Sequence, residues 1–365
     1  MKYIRILAIV LAAVMALSLF GCGETTTEKA DAPQTDEKDS TTEAADTEGQ
    51  TQGETTEAEG SETEEATTEA ETGIDIVDGV INIGTREELF AFADSINIDY
   101  EFYTDITINI TANIDLTPTL EGGRTWTPID GEGLEYCTIN GGGHVINGMT
   151  ITADDILNTA DGYGFGFIGV QKYDIEINDI IFANAVIEPN TKHTGCVMGE
   201  ITGGATAVLN NVTVDNLYAN GGVGTWESLD GIAIRVGGMI GTCAFGGYIE
   251  MTDCSVKNSK LIGFHNISGL VGNIAAGSAT FEGCSVENTV FHFSAGFSQT
   301  YDQEVARYFT DPFYCVNDEW ELYHGDDDAA SNNTFTGCTF YDMAYEVTYK
   351  DGELKSADYD GEFPV

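Results

Sequence analysis

Between residues 148 and 340 one short pattern keeps returning: a small or turn-forming residue, then an apolar one, any residue, and a second apolar one. It stands at Gly148-Met149-Thr150-Ile151, Asp179-Ile180-Ile181-Phe182, Asn211-Val212-Thr213-Val214, Asp253-Cys254-Ser255-Val256, Gly283-Cys284-Ser285-Val286 and Gly337-Cys338-Thr339-Phe340. Apolar residues two apart place one face of a strand against a core. The pattern predicts an inward ladder of Met149, Ile180, Val212, Cys254, Cys284 and Cys338. A second ladder follows, of Ile151, Phe182, Val214, Val256, Val286 and Phe340. Successive copies are 31, 32, 42, 30 and 54 residues apart, so the period is near 31 with insertions in two coils. A repeat of that length is one coil of a solenoid, which buries its apolar face only against its neighbours.

A polar column runs in the same register. Four residues after the first inward position come Asn184, Asn216, Asn258 and Asn288, then Asp342. Asparagine tolerates the left-handed conformation at a tight turn, and its amide both donates and accepts. Stacked at a strand spacing of about 4.8 Å, these four predict an asparagine ladder.

A glycine motif recurs as well: Gly166-Phe167-Ile168-Gly169, Cys196-Val197-Met198-Gly199, Gly238-Met239-Ile240-Gly241 and Gly269-Leu270-Val271-Gly272. Glycine permits tight corners and close backbone approach. With this motif the chain resembles the GLUG-repeat proteins, and Gly269-Leu270-Val271-Gly272 is nearest to the namesake sequence. Upstream, Asn113-Ile114-Asp115-Leu116, Trp126-Thr127-Pro128-Ile129 and Ile139-Asn140-Gly141-Gly142-Gly143-His144-Val145-Ile146 look like the opening of such domains. The resemblance spans roughly residues 105–295. It departs at Cys196, which replaces the first glycine of one copy, and no clear copy precedes Cys338. It implies a bacterial cell-surface protein with a pectate-lyase-like fold, and no single activity. The fold expected is therefore all-β, a right-handed parallel β-helix with a short capping helix at its N-terminal end. That helix is signalled by Thr85-Arg86-Glu87-Glu88, a capping box running on to about Ser95, with Leu89, Phe90 and Phe92 to pack. A C-terminal cap is expected after Tyr345.

The first 73 residues read differently. Lys2 and Arg5 precede an apolar run, Ile6 to Phe20, that is too short for a good membrane span and suits a secretory signal. It ends Leu19-Phe20-Gly21-Cys22, which resembles a lipobox, so residues 1–21 are expected to be removed and Cys22 to carry lipid. Residues 23–73 contain no Ile, Leu, Val, Phe, Tyr or Trp, and hold 17 acids against Lys29 and Lys38. Such a segment has nothing to bury and repels itself, so it is expected to be a disordered spacer. The repeat domain then covers residues 74–365.

Charge removes one class of partner. The whole chain stands at −47; without residues 1–21 it has 12 basic and 61 acidic residues, or −49, and residues 74–365 alone carry −34. With no basic stripe, nucleic acid is excluded as a partner. Anionic polysaccharides would be repelled unless cations bridge them. Seven cysteines remain beyond Cys22, at irregular spacing, so no disulfide framework is predicted; Cys254, Cys284 and Cys338 fall on the inward ladder as small core residues. The chain is expected to be a monomer.

Candidate chemistry is thin on the strands. The outward positions are Thr150, Thr152, Ile181, Ala183, Thr213, Asp215, Ser255, Lys257, Ser285, Glu287, Thr339 and Tyr341. Asp215, Lys257 and Glu287 on adjacent rungs form a solvated Coulombic ladder. Arg235 is the candidate base of a lyase, but a structural ion pair accounts for it better. The five histidines, His144, His193, His265, His292 and His324, share no metal-ligand spacing. Neither a metal nor a cofactor is predicted, calcium at Asp326-Asp327-Asp328 being the one candidate. The insertions carry more: Trp226 lies in one at about 221–231, and Phe297, Tyr301, Tyr308, Phe309, Phe313, Tyr314, Trp320 and Tyr323 in a larger one at about 294–333. Loops on a rigid scaffold are where contacts concentrate. Trp226, Tyr308, Trp320 and Tyr323 are thus the ligand-binding candidates, for a glycan or a surface protein. The reading is a binding or adhesion lipoprotein on the bacterial surface. The alternatives are a β-helix polysaccharide lyase or glycoside hydrolase, and a structural envelope component without a ligand.

One expectation is testable at once. Cys22→Ala should release the protein from the membrane fraction and remove the lipid from its mass. Unchanged fractionation and mass would overturn the anchor.

Overall fold

The computed structural model describes residues 74–119, 123–152, 164–189, 193–221, 235–263, 266–293, 310–311, 314–316, 333–348 and 354–358. All lie within one of the chain's two compact units, Thr68–Val365. Cys22 and the spacer fall outside the described residues.

The chain folds as a parallel β-helix. One full coil shows the plan. Thr206–Asn210 and Thr213–Asp215 cross a long face, Tyr218–Asn220 a second, Arg235–Gly237 a third and Ile240–Ala244 a fourth. The chain then re-enters the long face at Tyr248–Thr252. Stacked, these strands give sheets of 13, 7, 5 and 5 strands. The pairing is in register from coil to coil, as in Phe182↔Val214↔Val256↔Val286↔Phe340. Like side chains therefore superpose, and the inward columns merge into one core in which Ile180, Phe182, Val212, Val214, Cys254, Val256, Cys284 and Val286 are all buried. In the last coil Cys338 and Phe340 are only half-buried, since less chain lies above them.

The first copy of the pattern is corrected. Thr150–Thr152 lies on the second face, paired with Val186–Glu188, so Met149 and Ile151 are buried there and not on the anchor strand. Thr150 and Thr152 move with them. The partner of Phe182 in that coil is Ile146. The cause is the length of that coil: Ile146 and Phe182 are 36 residues apart, so a step of 31 back from Phe182 lands on the second face. Upstream, at Gly141-Gly142-Gly143, the register also slips between Asn178 and Ile180, where the lower strand carries two extra residues. Gly142 and Gly143 have φ of +58° and +78°, and a Cβ on Gly141 would lie 2.4 Å from Ile180. Only glycine lets the chain detour there.

The asparagine ladder is present. Asn184, Asn216, Asn258 and Asn288 have φ between +43° and +59°. Asn184 Nδ2 donates to Asn147, Asn216 to Asn184 and Asn288 to Asn258, at 2.6–2.8 Å. Asn258 departs, donating to Asp215 at 2.8 Å. A second ladder, on the long face, runs through Asn82, Asn109, Asn140, Asn178 and Asn210, each amide donating to the one below at 2.9–3.2 Å.

The N-terminal end is covered by a helix. Helix α1 spans Arg86–Asn97, two residues beyond the expected end, and buries Leu89, Phe90, Phe92, Ala93 and Ile96. Its capping box is formed: Thr85 accepts from the Glu88 N–H, and the Glu88 carboxylate accepts from Gly84 and Thr85 at 2.7 and 3.0 Å. Those backbone donors, Gly84 first, hold the Glu88 carboxyl below its usual range. At the other end Leu354–Asp358 pairs antiparallel with Ala344–Thr348, which stops the parallel stacking. The larger insertion is also narrower than expected: Thr310–Asp311 and Tyr314–Val316 are strands of the third and fourth faces, paired with Ile267–Ser268 and with Val271 and Ile274. No helix among the described residues is long and apolar enough to cross a membrane.

Glu346 ties the last coils together on the second face, accepting from Lys260 Nζ at 2.7 Å and from His292 Nδ1 at 2.9 Å. Burial pulls the His292 pKa below its ordinary value, against the pull of Glu346.

Two predictions follow from this packing. Val256→Asp buries an unpaired carboxylate and should cost about 3–5 kcal/mol. Lys257→Gln removes only a part-exposed ion pair, with Asp215 at 3.5 Å, and should cost less than about 1 kcal/mol. Equal losses in melting temperature would reverse the in/out register. A histidine with a depressed folded pKa contributes stability above its unfolded value of about 6.5, and loses it as pH falls through the folded pKa. The melting temperature should therefore drop on going from pH 7 to 5.5, and His292→Gln should flatten that part of the profile.

Candidate functional site

The third and fourth faces meet at a sharp corner made by the glycine motif. A Cβ on Gly199 would stand 2.1 Å from Phe165 N, and one on Gly237 1.9 Å from Ile240 O. Side chains can be accommodated only away from this contact, and there the corner collects polar groups. Glu200 Oε2 lies 2.8 Å from His193 Nδ1, and Arg235 Nη1 is 3.3 Å from His193 Nε2 and 3.4 Å from Thr242 Oγ1. Since guanidinium only donates, this network assigns His193 Nε2 as acceptor and Nδ1–H as donor to Glu200. Burial pulls the Arg235 pKa down, and the nearby Glu200 opposes that.

Among the described residues Arg235 therefore does not form the direct ion pair considered for it. It is joined to its counter-charge through an imidazole, with both ring nitrogens occupied. Nor does it face an array of carboxylates: among the described residues no group of three His, Cys, Asp or Glu side chains converges on one point. The network holds the corner together and leaves His193 no free lone pair for proton abstraction. His193 and Glu200 were findable in the sequence, because His193 and Arg235 are 42 residues apart, the spacing of the coil from Val212 to Cys254.

The outward ladder forms as expected, with Asp215, Lys257 and Glu287 paired across adjacent strands. Trp226, Tyr308, Trp320, Tyr323 and Asp326-Asp327-Asp328 lie outside the described residues, and of Tyr314 only the backbone is described.

A feature not read from the sequence is the turn between the fourth face and the long face. These turns precede Cys137, Ile175, Ala207, Ile249 and Ala279, which are paired in register, so they stack along one edge. From coil to coil they present Tyr136, Tyr173, Gly203-Gly204, Phe245-Gly246 and Ala276. A Cβ on Gly246 would meet Gly204 Cα at 3.8 Å, which confirms the stacking of those two. Phe245 is 74% exposed and Tyr136 54%, and Tyr173 is exposed as well. Phe245 and Tyr136 hold φ of +48° and +55°. The left-handed region costs a bulky side chain about 1–2 kcal/mol, and a ring left in water recovers none of it. The Tyr173 turn is fixed within its own coil and by the next one: its carbonyl accepts from Gln171 Nε2 at 2.8 Å, and Asp174 accepts from Thr206 N at 2.7 Å. For Tyr173 and Phe245 the sequence signal was an aromatic residue four positions after the last glycine of the motif, beside aspartate or glycine; Tyr136 follows no copy of the motif.

All six described cysteines are free thiols, Cys137, Cys196, Cys243, Cys254, Cys284 and Cys338, and all but Cys338 are buried. Cys254 and Cys284 donate to the Leu209 and Met251 carbonyls at 3.3 and 3.4 Å, as core residues.

No protein-family model and no curated protein matches the chain. Among solved structures, one from Bacteroides ovatus, proposed to be an immunoglobulin A1 protease, is similar at 14% identity and a TM-score of 0.37, covering 76% of this chain and 79% of that one. A likeness of this size says nothing of activity.

Proposed function

We propose that this protein is a lipid-anchored, surface-displayed scaffold of the GLUG-repeat kind that binds extracytoplasmic glycans, with the aromatic edge as contact surface. The observation that supports the reading is the strained exposure of Tyr136 and Phe245. A residue held in an unfavourable backbone region without burial points to a use outside the fold. Aromatic faces stack on the apolar faces of sugar rings. Tyr173 and Phe245 are two coils apart, about 10 Å at the strand spacing, and Gly203-Gly204 leaves the lane between them clear. The domain's charge of −34 selects neutral or amino sugars over polyanions. Trp226, Tyr308, Trp320 and Tyr323 belong to the same proposal as a second contact surface.

The test sets stability against binding. Phe245→Gly should raise stability by about 1 kcal/mol through relief of the backbone. Combined with Tyr173→Ala it should weaken binding to the best ligand on a glycan array at least tenfold. Unchanged binding would remove the edge as the site. If Trp320→Ala with Tyr323→Ala instead abolishes binding at an unchanged Tm, the insertion is the contact surface.

A further inference from the structure

The N-terminal end of the solenoid carries a cleft that none of the preceding uses. It has a volume of about 640 Å³ and lies against α1. Phe90 and Ala91 contribute to its lining from the helix, and Ile74 and Ile76 from the chain that leads into it. Its charged lining is lopsided: Glu87, Asp94, Asp99 and Glu101 against Arg124 alone. That arginine is already committed. Its two terminal nitrogens reach the Asp94 carboxylate at 2.5 and 2.9 Å, and its guanidinium lies 4.1 Å from the centre of the Phe90 ring. Glu87, Asp99 and Glu101 have no ion-pair partner among the described residues. Asp99 and Glu101 bear on one point: with burial as the larger cause, both raise the pKa of the Tyr103 hydroxyl, which also lines the cleft.

Ile76, which lines the cleft, is exposed, and so are Val77, Ile98 and Tyr100, each next in sequence to a lining residue, Val77 at 65% and Tyr100 at 75%. Tyr100 holds φ at +57°, so here too an exposed ring stands on an unfavourable backbone. Half of the large hydrophobic residues exposed in the described structure lie between Ile76 and Phe102. Apolar side chains left in water beside a cleft mark an interaction surface.

We infer that this cleft is a docking site for a cationic amphipathic peptide, a segment in which lysine or arginine alternates with aliphatic side chains. Charge complementarity selects the occupant. Three unpaired carboxylates favour an ammonium or guanidinium group, while Phe90, Ile74 and Ile76 favour an aliphatic chain beside it. The acidic spacer is unsuited, because residues 23–73 hold 17 acids and no large apolar side chain. A second copy of the domain would bring carboxylates against carboxylates at a charge of −34 each.

The probe is a fluorescent peptide of alternating lysine and leucine, titrated against the full-length chain in a non-ionic detergent. A glutamate-for-lysine peptide serves as control. Asp99→Asn with Glu101→Gln should weaken binding of the lysine peptide at least tenfold. Glu250→Gln with Asp253→Asn, which removes the same charge from the long face, should change it less than twofold. Ile76→Ser should weaken it about fivefold with charge unaltered. Equal losses in both charge pairs would show general attraction to an acidic protein and overturn the site. So would binding of the glutamate peptide, no effect of Ile76→Ser, or a dimer in sedimentation that blocks the lysine peptide.

Discussion

Everything in this molecule depends on in-register pairing of parallel strands. Each coil lies directly on the one before, so a residue's nearest neighbour is its counterpart one period away. That rule converts a repeating sequence into columns. An apolar position becomes a continuous core, an asparagine becomes a chain of amide hydrogen bonds, and a glycine becomes a corner that can close repeatedly. A charge becomes a ladder that must alternate in sign, as Asp215, Lys257 and Glu287 do. The same rule is strict about mismatch, since a wrong residue meets two wrong neighbours.

It also explains which parts of the fold were legible. From Ile180 onward the apolar pattern and Asn184, Asn216, Asn258 and Asn288 share a register that the structure keeps. The first copy was misread because Gly148-Met149-Thr150-Ile151 imitates the pattern one face late, in a coil where Ile146 and Phe182 are 36 residues apart and not 31. The ladder from Asn82 to Asn210 escaped notice because its members are 27, 31, 38 and 32 residues apart. Those intervals become equal only after bulges and loops are discounted. The sites were less legible still. Aromatic composition pointed to the insertions, whereas Tyr136 and Phe245 are isolated in sequence and come onto one edge only through stacking. Their left-handed backbone is a conformational fact that residue type does not announce.

The two ends and the edge divide the labour. Two polar clusters brace the walls: His193, Glu200 and Arg235 around the glycine corner, and Lys260, His292 and Glu346 near the top. The third-face column is less complete, since Thr194 Oγ1, Arg235 Nε and Ser268 Oγ are buried without a hydrogen-bond partner among the described residues. The exposed apolar and acidic groups gather elsewhere, at the turn edge and around α1, where they can vary without disturbing the core.

The buried thiols have a consequence of their own. Desolvation lifts the Cys243 pKa to about 12 and raises that of Cys196, while the hydrogen bond with Cys254, and burial after it, raises that of Cys284, so almost no thiolate exists at neutral pH on these three to react with an oxidant or an alkylating reagent. Reaction must await an opening of the coil that holds the sulfur. Cys137, Cys196, Cys243, Cys254 and Cys284 are distributed from the first coils to the fifth. The solenoid thus carries its own set of clocks, in which the order of alkylation under native conditions records where the stack first comes apart.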